Sequence, residues 1–131
     1  MAMQHHELSA AEWEIMQVIW DAGAPLAVRD VWERAYPNAE KAYTTVQTLM
    51  NILVDKGFLK RKKVGMVNFY SVAVAREKIL RKSLATAAGR MFAGSFGAMA
   101  SFLVSSASLS AEEIQTLRTL LDEQAGEKKN R

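Results

Sequence analysis

The chain of 131 residues has no cysteine, only two prolines and only two histidines. The absence of cysteine excludes disulfides, cysteine-based zinc sites and thiol catalysis. The two histidines, His5 and His6, are adjacent at the chain start and form no acid–base constellation. Glu12, Glu14 and Glu33 are better explained by helix caps and solvated faces than by proton transfer. An enzyme is therefore not expected, and neither is a cofactor or a metal. No apolar run approaches the ~18 residues that a membrane span needs, and residues 1–8 lack the apolar stretch of a signal peptide. The expected location is the cytoplasm, with no direct membrane binding.

Basic residues are scarce at first and then concentrated. Residues 1–40 hold only Arg29 and Arg34 against seven acidic residues, a net of −5. Residues 41–90 hold eleven basic residues against Asp55 and Glu77, a net of +9, and residues 91–131 come to −1. A basic middle between acidic flanks fits a surface that meets a polyanion, the alternative being merely solvated lysines. Half of the residues are hydrophobic, which supports an ordered chain of one domain, or of a small domain with an appendage.

The stretch LSAAEWEIM has Ser9 at an N-cap and Glu12 three residues on, a capping box, with Leu8 placed to pack on Trp13. Trp13, Met16, Ile19 and Trp20 form an apolar stripe, and Asp21-Ala22-Gly23 stops the helix. After Pro25 comes a short extended link. A second helix carries Val28, Val31, Trp32 and Ala35 at i, i+3, i+4, i+7, and ends before Pro37, which disfavours helical geometry at Tyr36. The third helix lies in AYTTVQTLMNILVDKGFLKRKK, residues 42–63, with Val46, Leu49, Met50 and Leu53 inward and Gly57 at the C′ position. Ala42 is a poor cap, so the start of this helix is its less defined end.

Beyond Gly57, FLKRKK and VNFYSV flank Val64-Gly65-Met66 and read as two strands joined by a tight turn. Three helices and a β-hairpin within about 75 residues make a winged helix-turn-helix arrangement, in which the hairpin covers the open end of the core. The rest is helical. Leu80, Leu84, Ala87 and Met91 share one side of residues 75–91, with Arg76, Lys78, Arg81 and Lys82 elsewhere. Phe92, Phe96, Met99 and Leu103 continue the pattern. LSAEEIQTL repeats the first helix's device, with Ser110 as cap, Glu113 completing the box, Leu109 facing Ile114, and Ile114, Leu117 and Leu121 on the buried side. GEKKNR reads as a frayed tail. Gly94 and Gly97, among Ala93, Ala98 and Ala100, read as helix-weakening positions at roughly 1 kcal/mol each against alanine, or as places for close helix packing. This part is too small to bury Phe92, Phe96, Phe102 and its leucines and methionines alone, and its natural partner is a second copy of itself; a ligand pocket is the alternative. The expected fold is mainly α with a small β-hairpin wing. Residues 1–74 form a winged helix DNA-binding domain and residues 75–131 a helical dimerisation domain.

The outer positions of the third helix, Thr44, Gln47, Thr48 and Asn51, are neutral hydrogen-bonders where a solvated helix usually carries Lys and Glu. A helix fits the major groove of B-DNA, and such side chains can read its donor and acceptor pattern. Gln and Asn pair bidentately with adenine, and a Thr methyl meets a thymine methyl. Lys41 at the helix start and Lys60, Arg61, Lys62 and Lys63 on the wing are the candidates for phosphates. The first group specifies and the second positions.

LSAAEWEIMQVIW, AYTTVQTLMNILVDKGFLKRKK and FYSV resemble the BlaI/MecI family of penicillinase repressors, and AGSFGAMASF and LSAEEIQTL extend the resemblance over nearly the whole chain. Its most specific parts are Glu12-Trp13-Glu14 and the threonine-rich third helix. The resemblance implies a homodimer that binds double-stranded operator DNA of dyad symmetry and represses transcription. It also implies release by cleavage within the dimerisation domain, triggered by a membrane sensor-transducer protease. On this resemblance Thr45 and Thr48 match threonines of the recognition helix, and Tyr70 matches the aromatic that closes the wing. Ser101-Phe102 falls where some members have a scissile Asn-Phe bond. The resulting DNA-binding set is Lys41, Tyr43, Thr44, Thr45, Gln47, Thr48, Asn51, the basic residues 60–63 and Tyr70. The dimerisation set is Leu80, Leu84, Met91, Phe92, Phe96, Met99, Phe102, Leu103, Ile114, Leu117 and Leu121. Two departures stand out: Ile52 holds a position that is often Arg in the family, and Ser101 replaces Asn. The cysteine-rich tail of copper-responsive relatives is absent, which excludes copper sensing by that route. The expected role is control of β-lactam or cell-wall-stress genes. The rivals are a sequence-tolerant architectural DNA-binding protein and a protein-interaction winged helix, for which the basic wing has no evident use.

Overall fold

A computed structural model of the chain describes residues 7–129. His5, His6 and the last two residues of the expected tail lie outside the described residues. The fold comprises two compact units, one running to Ser83 and the other starting at Leu84.

In the first unit, α1 (Ala10–Ala22) starts as its sequence requires. The Ser9 hydroxyl accepts from the Glu12 N–H at 3.2 Å, and the Ser9 N–H donates to Glu12 Oε1 at 2.8 Å. Gly23 ends the helix at φ 65, a left-handed conformation that glycine adopts without a Cβ clash. Then follow β1 (Leu26–Ala27), α2 (Val28–Ala35) and α3 (Tyr43–Asp55). Lys56 caps α3; the Gly57 N–H donates to Val54 O and the Phe58 N–H to Leu53 O, a Schellman turn that satisfies the last carbonyls. It leads directly into β2 (Leu59–Val64), which pairs antiparallel with β3 (Val67–Val72). Val64 pairs with Val67, so the turn is Gly65-Met66, one residue shorter than expected. Gly65, at φ 63, supplies the conformation that the first position of such a turn demands.

The wing is a three-stranded sheet, in the order β1-β3-β2, rather than a lone hairpin. Leu26 and Ala27 pair with Tyr70 and Phe69, so the link after Pro25 is a strand too short to announce itself by alternation. Ile15, Met16, Ile19, Val31, Val46, Met50, Leu53, Phe58, Leu59 and Tyr70 form the core, joined by Ile79 from α4 (Arg76–Met91). Leu49 is only partly buried. Tyr36 closes α2 and donates its hydroxyl to Glu14 Oε1 at 2.7 Å. Burial, then the Glu14 carboxylate that accepts this bond, then the Glu40 charge, push the Tyr36 phenol well above its ordinary range.

Glu12 also accepts from Lys56 Nζ, at 2.9 Å and 3.2 Å, which joins the start of α1 to the end of α3. Burial raises the pKa of this carboxyl. The Ser9 N–H and the Lys56 ammonium together outweigh it, so the pKa falls below its ordinary 4.5.

The second unit contains the rest of α4, α5 (Phe96–Ser106) and α6 (Ala111–Lys129). Ser95 caps α5 through the Ala98 N–H at 3.0 Å. Gly94 therefore lies before the helix at φ 85, and Gly97 in its first turn, not in the middle of a helix as the sequence suggested. Ser110 and Glu113 form the expected capping box, at 2.9 Å and 3.0 Å. The helix runs on through Gly126 to Lys129, so the expected fraying is not seen there. Neither α5 nor α6 buries any residue within one chain. The Phe92 and Phe102 rings approach to 6.0 Å. Ile114, Leu117 and Leu121, expected on a buried side, are exposed in the single chain, as are Leu84, Met91, Phe96, Phe102 and Leu103. Leu80, Phe92 and Met99 are half-buried. Among the described residues no single helix is long and apolar enough to cross a membrane.

Because the folded-state pKa of Glu12 is lowered, its contribution to stability is complete above about pH 4.5 and is lost as the pH falls through the folded value. Glu12→Ala removes the ion pair and the carboxylate half of the capping box, leaving the bond from the residue-12 N–H to the Ser9 hydroxyl, and should cost about 2 kcal/mol at pH 7, somewhat less than a fully buried pair because the Lys56 side chain keeps some solvent. Urea unfolding of both proteins at pH 7 and pH 3.5 checks this, with the difference expected to shrink at the acidic pH.

Candidate nucleic-acid interface

The inward stripe of α3 fixes what its other side presents. With Val46, Met50 and Leu53 buried, Thr44, Thr45, Gln47 and Thr48 are exposed. Ile52 continues that side as a partly exposed apolar residue, 37% accessible. No side chain caps α3 at Ala42. The loop before it is held instead by Trp32, whose Nε1 donates to Lys41 O at 2.8 Å. The Lys41 ammonium lies 5.7 Å from the Tyr36 ring centre, and Lys41 is half-buried. Tyr43 meets Trp32 edge-on at 5.8 Å, with the Arg29 guanidinium 5.8 Å from its ring centre. These contacts order the start of α3 without a capping side chain.

All four basic residues of β2 are exposed, but they do not form one row. Arg61 pairs across the ladder with Tyr70 and Lys63 with Asn68, whereas Lys60 pairs with Ser71 and Lys62 with Phe69. Alternation along a strand therefore sends Arg61 and Lys63 to the face of the buried Tyr70, and Lys60 and Lys62 to the opposite face. Lys62 lines an outer depression there with Pro25, Phe69 and Ser71.

Two residues expected at the interface have other contacts. Tyr70 is 1% exposed, so its ring is part of the core and unavailable for direct contact with DNA. Its hydroxyl donates to Asn51 Oδ1 at 2.8 Å, and Arg61 Nη1 donates to the same oxygen at 2.7 Å. Asn51 is half-buried at this junction of α3 and wing.

A groove of about 400 Å³ runs between the start of α2, the start of α3 and the wing, lined by Arg29, Asp30, Tyr43, Gln47, Met66 and Asn68 among others. Arg29 and Asn68 were not among the residues expected from the sequence. Arg29 had a signal, as one of two basic residues in an acidic stretch of forty. It is exposed, and its Nη1 lies 3.7 Å from Glu33 Oε2. Asn68 had none, since only the strand register brings it opposite Lys63. The arrangement offers uncharged donors and acceptors on a helix, cations on an adjoining ribbon, and a polar groove between them. Among the described residues no group of three or more metal-ligating side chains comes together.

Known proteins match this chain along most of its length. MecI, the methicillin resistance regulatory protein of Mammaliicoccus sciuri, is 30% identical over 117 residues, covering 89% of this chain and 94% of its own. A penicillinase repressor of Staphylococcus aureus is 26% identical over 123 residues, covering 94% of this chain and 97% of its own. The solution structure of the DNA binding domain of the repressor BlaI matches with a TM-score of 0.51 and 27% identity, over 57% of this chain and 90% of that one. A crystal structure of MepR, a transcription regulator of the Staphylococcus aureus multidrug efflux pump MepA, shares the fold at TM-score 0.51 with 16% identity, covering 92% of this chain and 79% of its own. The family model described as penicillinase repressor matches residues 8–123, and the chain belongs to that family.

Proposed function

We propose that this protein is a homodimeric transcriptional repressor that binds operator DNA of dyad symmetry in the cytoplasm. In this reading α3 enters the major groove, and the wing with Arg29 and Lys41 meets the phosphates. The observation that carries it is the pairing, within one winged helix unit, of exposed uncharged side chains on α3 with an exposed basic strand beside them. Neutral hydrogen-bonders distinguish bases, and cations hold the backbone. The names of the relatives support β-lactam or cell-wall-stress response genes as the regulon.

The exposed apolar side chains of the second unit support the dimer. Phe102 is 58% and Leu121 67% accessible in one chain, and exposed apolar side chains in such number are a common mark of a protein-binding surface. A second copy presents the same surface, so one patch satisfies both. Linking two half-site readers raises affinity through effective concentration. Release by a membrane sensor-transducer protease has a candidate bond at Ser101-Phe102, where both side chains are exposed on α5. A protease takes extended substrate, so α5 has to open locally first. Cutting there separates α6 from the winged helix unit.

Two experiments test the reading. In mobility-shift titrations the protein should favour its operator over random duplex by a factor of ~10³ or more. Gln47→Ala should cost about 1–3 kcal/mol on the operator and little elsewhere. Lys60→Ala and Lys63→Ala should weaken binding to every duplex and lower the salt slope by about 0.9 for each phosphate left without its cation. Equal losses on operator and random duplex for all three variants would favour the sequence-tolerant rival. Sedimentation should find the full chain dimeric at micromolar concentration. Truncation after Ser83, which keeps Ile79 in the first core, should leave a folded monomer with much weaker operator binding. A monomeric full-length chain would refute the dimer.

A further inference from the structure

Gln47 and Asn51 stand one turn apart on α3, yet their surroundings differ. Gln47 is exposed, whereas Asn51 Oδ1 accepts from Arg61 Nη1 at 2.7 Å and from Tyr70 Oη at 2.8 Å. Arginine can only donate, so the oxygen of the amide must be the atom that faces it. A carbonyl oxygen has two lone pairs, and these two bonds occupy both. Bidentate recognition of adenine needs that same oxygen to accept from the base. Asn51 can do this only by giving up at least one of its partners.

The two donors make such an exchange unfavourable. Arg61 contributes a short, charge-assisted bond. Tyr70 brings its hydroxyl out of the core, and a phenol this buried would be left without an acceptor if Asn51 turned away. Arg61 and Tyr70 are also cross-strand partners, one on β2 and one on β3. A single oxygen of α3 therefore grips both strands of the wing at the same rung.

We propose that Asn51 is a positioning residue that fixes the wing against α3 through Arg61 and Tyr70, and that it reads no base. The inference rests on the DNA-binding reading above and deepens it. Base reading then falls to Thr44, Thr45, Gln47 and Thr48. Asn51 and Tyr70 set where the lysines of β2 meet the backbone, and so act on affinity for all DNA alike.

The test uses the full chain and two duplexes of equal length, one enriched from a random-sequence pool by the unmodified protein and one arbitrary. Asn51→Ala, Tyr70→Phe, their combination and Gln47→Ala are titrated between about 0.05 and 0.2 M salt. Asn51→Ala and Tyr70→Phe should lower affinity for both duplexes by the same factor, about fivefold at 0.15 M salt for each phosphate no longer neutralised, with a correspondingly smaller salt slope. The combined variant should lose little more than either alone, because both remove one link. Gln47→Ala should lower the ratio between the duplexes at an unchanged slope. Misfolding reduces the active fraction but not the slope, and Tyr70→Phe keeps the buried ring, so the outcome does not depend on Asn51→Ala folding well. A lowered ratio at constant slope for Asn51→Ala, or unchanged affinity for both duplexes in Tyr70→Phe, would overturn the inference alone. Failure of the unmodified protein to enrich any duplex would overturn the DNA-binding reading, and this inference with it.

Discussion

The carboxylate of Glu12 is the one charged group buried among the described residues, at 3% exposure, and the geometry of the first unit depends on it. It takes the Ser9 N–H on one side and the Lys56 ammonium on the other. The first bond fixes where α1 begins, and the second fixes where α3 ends. An apolar pair of similar volume could give comparable stability, but it would not specify the register of α3 in the same way, since an ion pair is sensitive to distance and direction. With the end of α3 held, the stripe of Val46, Met50 and Leu53 fixes its rotation, and Thr44, Gln47 and Thr48 are turned outward. The Schellman turn at Gly57 then sends the chain into β2 with no slack between helix and wing.

What was legible in the sequence followed from strong local chemistry. Ser9 with Glu12 and Ser110 with Glu113 marked two helix starts, Gly23 and Gly57 marked two ends, and the i, i+3, i+4 spacing found Met16, Ile19, Val28, Val31, Val46, Met50 and Leu53 but not Ile15 or Ile79. Local chemistry had less to say elsewhere. The two residues of β1 are strand only because β3 lies beside them. The run at 60–63 looks like one basic patch in sequence, but the pleat divides it between two faces. Thr44, Gln47, Thr48 and Asn51 share a spacing and a chemistry. Only the register that sets Arg61 against Tyr70 separates the last from the others. The family resemblance alone places Tyr70 at the interface, whereas its pairing with Leu26 on one side and Arg61 on the other puts it in the middle strand of the sheet, with its ring in the core. At the far end, GEKKNR reads as a frayed tail, yet one glycine costs only about 1 kcal/mol within a helix already nucleated upstream, and α6 runs to Lys129.

The second unit poses a different physical problem. Its helices are individually well specified, with Ser95 and Ser110 as caps, but their apolar side chains find little to bury against within one chain. Propensity and capping together stabilise a short helix only marginally; most helical stability in proteins comes from packing an apolar face. A single chain of this unit is therefore short of the term that matters most, and in the proposed dimer a symmetric copy would supply it by presenting the same surface. The first unit has no such deficit, having a closed core of its own.

These differences bear on where a switch acting on DNA affinity is most effective. In the proposed complex, loosening the wing would remove cations from phosphates, each worth about a fivefold change at 0.15 M salt. Altering a base-reading side chain on α3 costs a further 1–3 kcal/mol or so, but it changes which sequence is bound rather than whether the protein binds. Separating two linked readers forfeits the effective concentration of the second, a factor of roughly 10²–10⁴, and leaves each reader's preference intact. The third route gives the largest change with no loss of specificity in the surviving domain. In the proposed dimer it would act on the unit whose apolar surface one chain cannot cover, and it would spare the unit that holds the closed core and the proposed base-reading face.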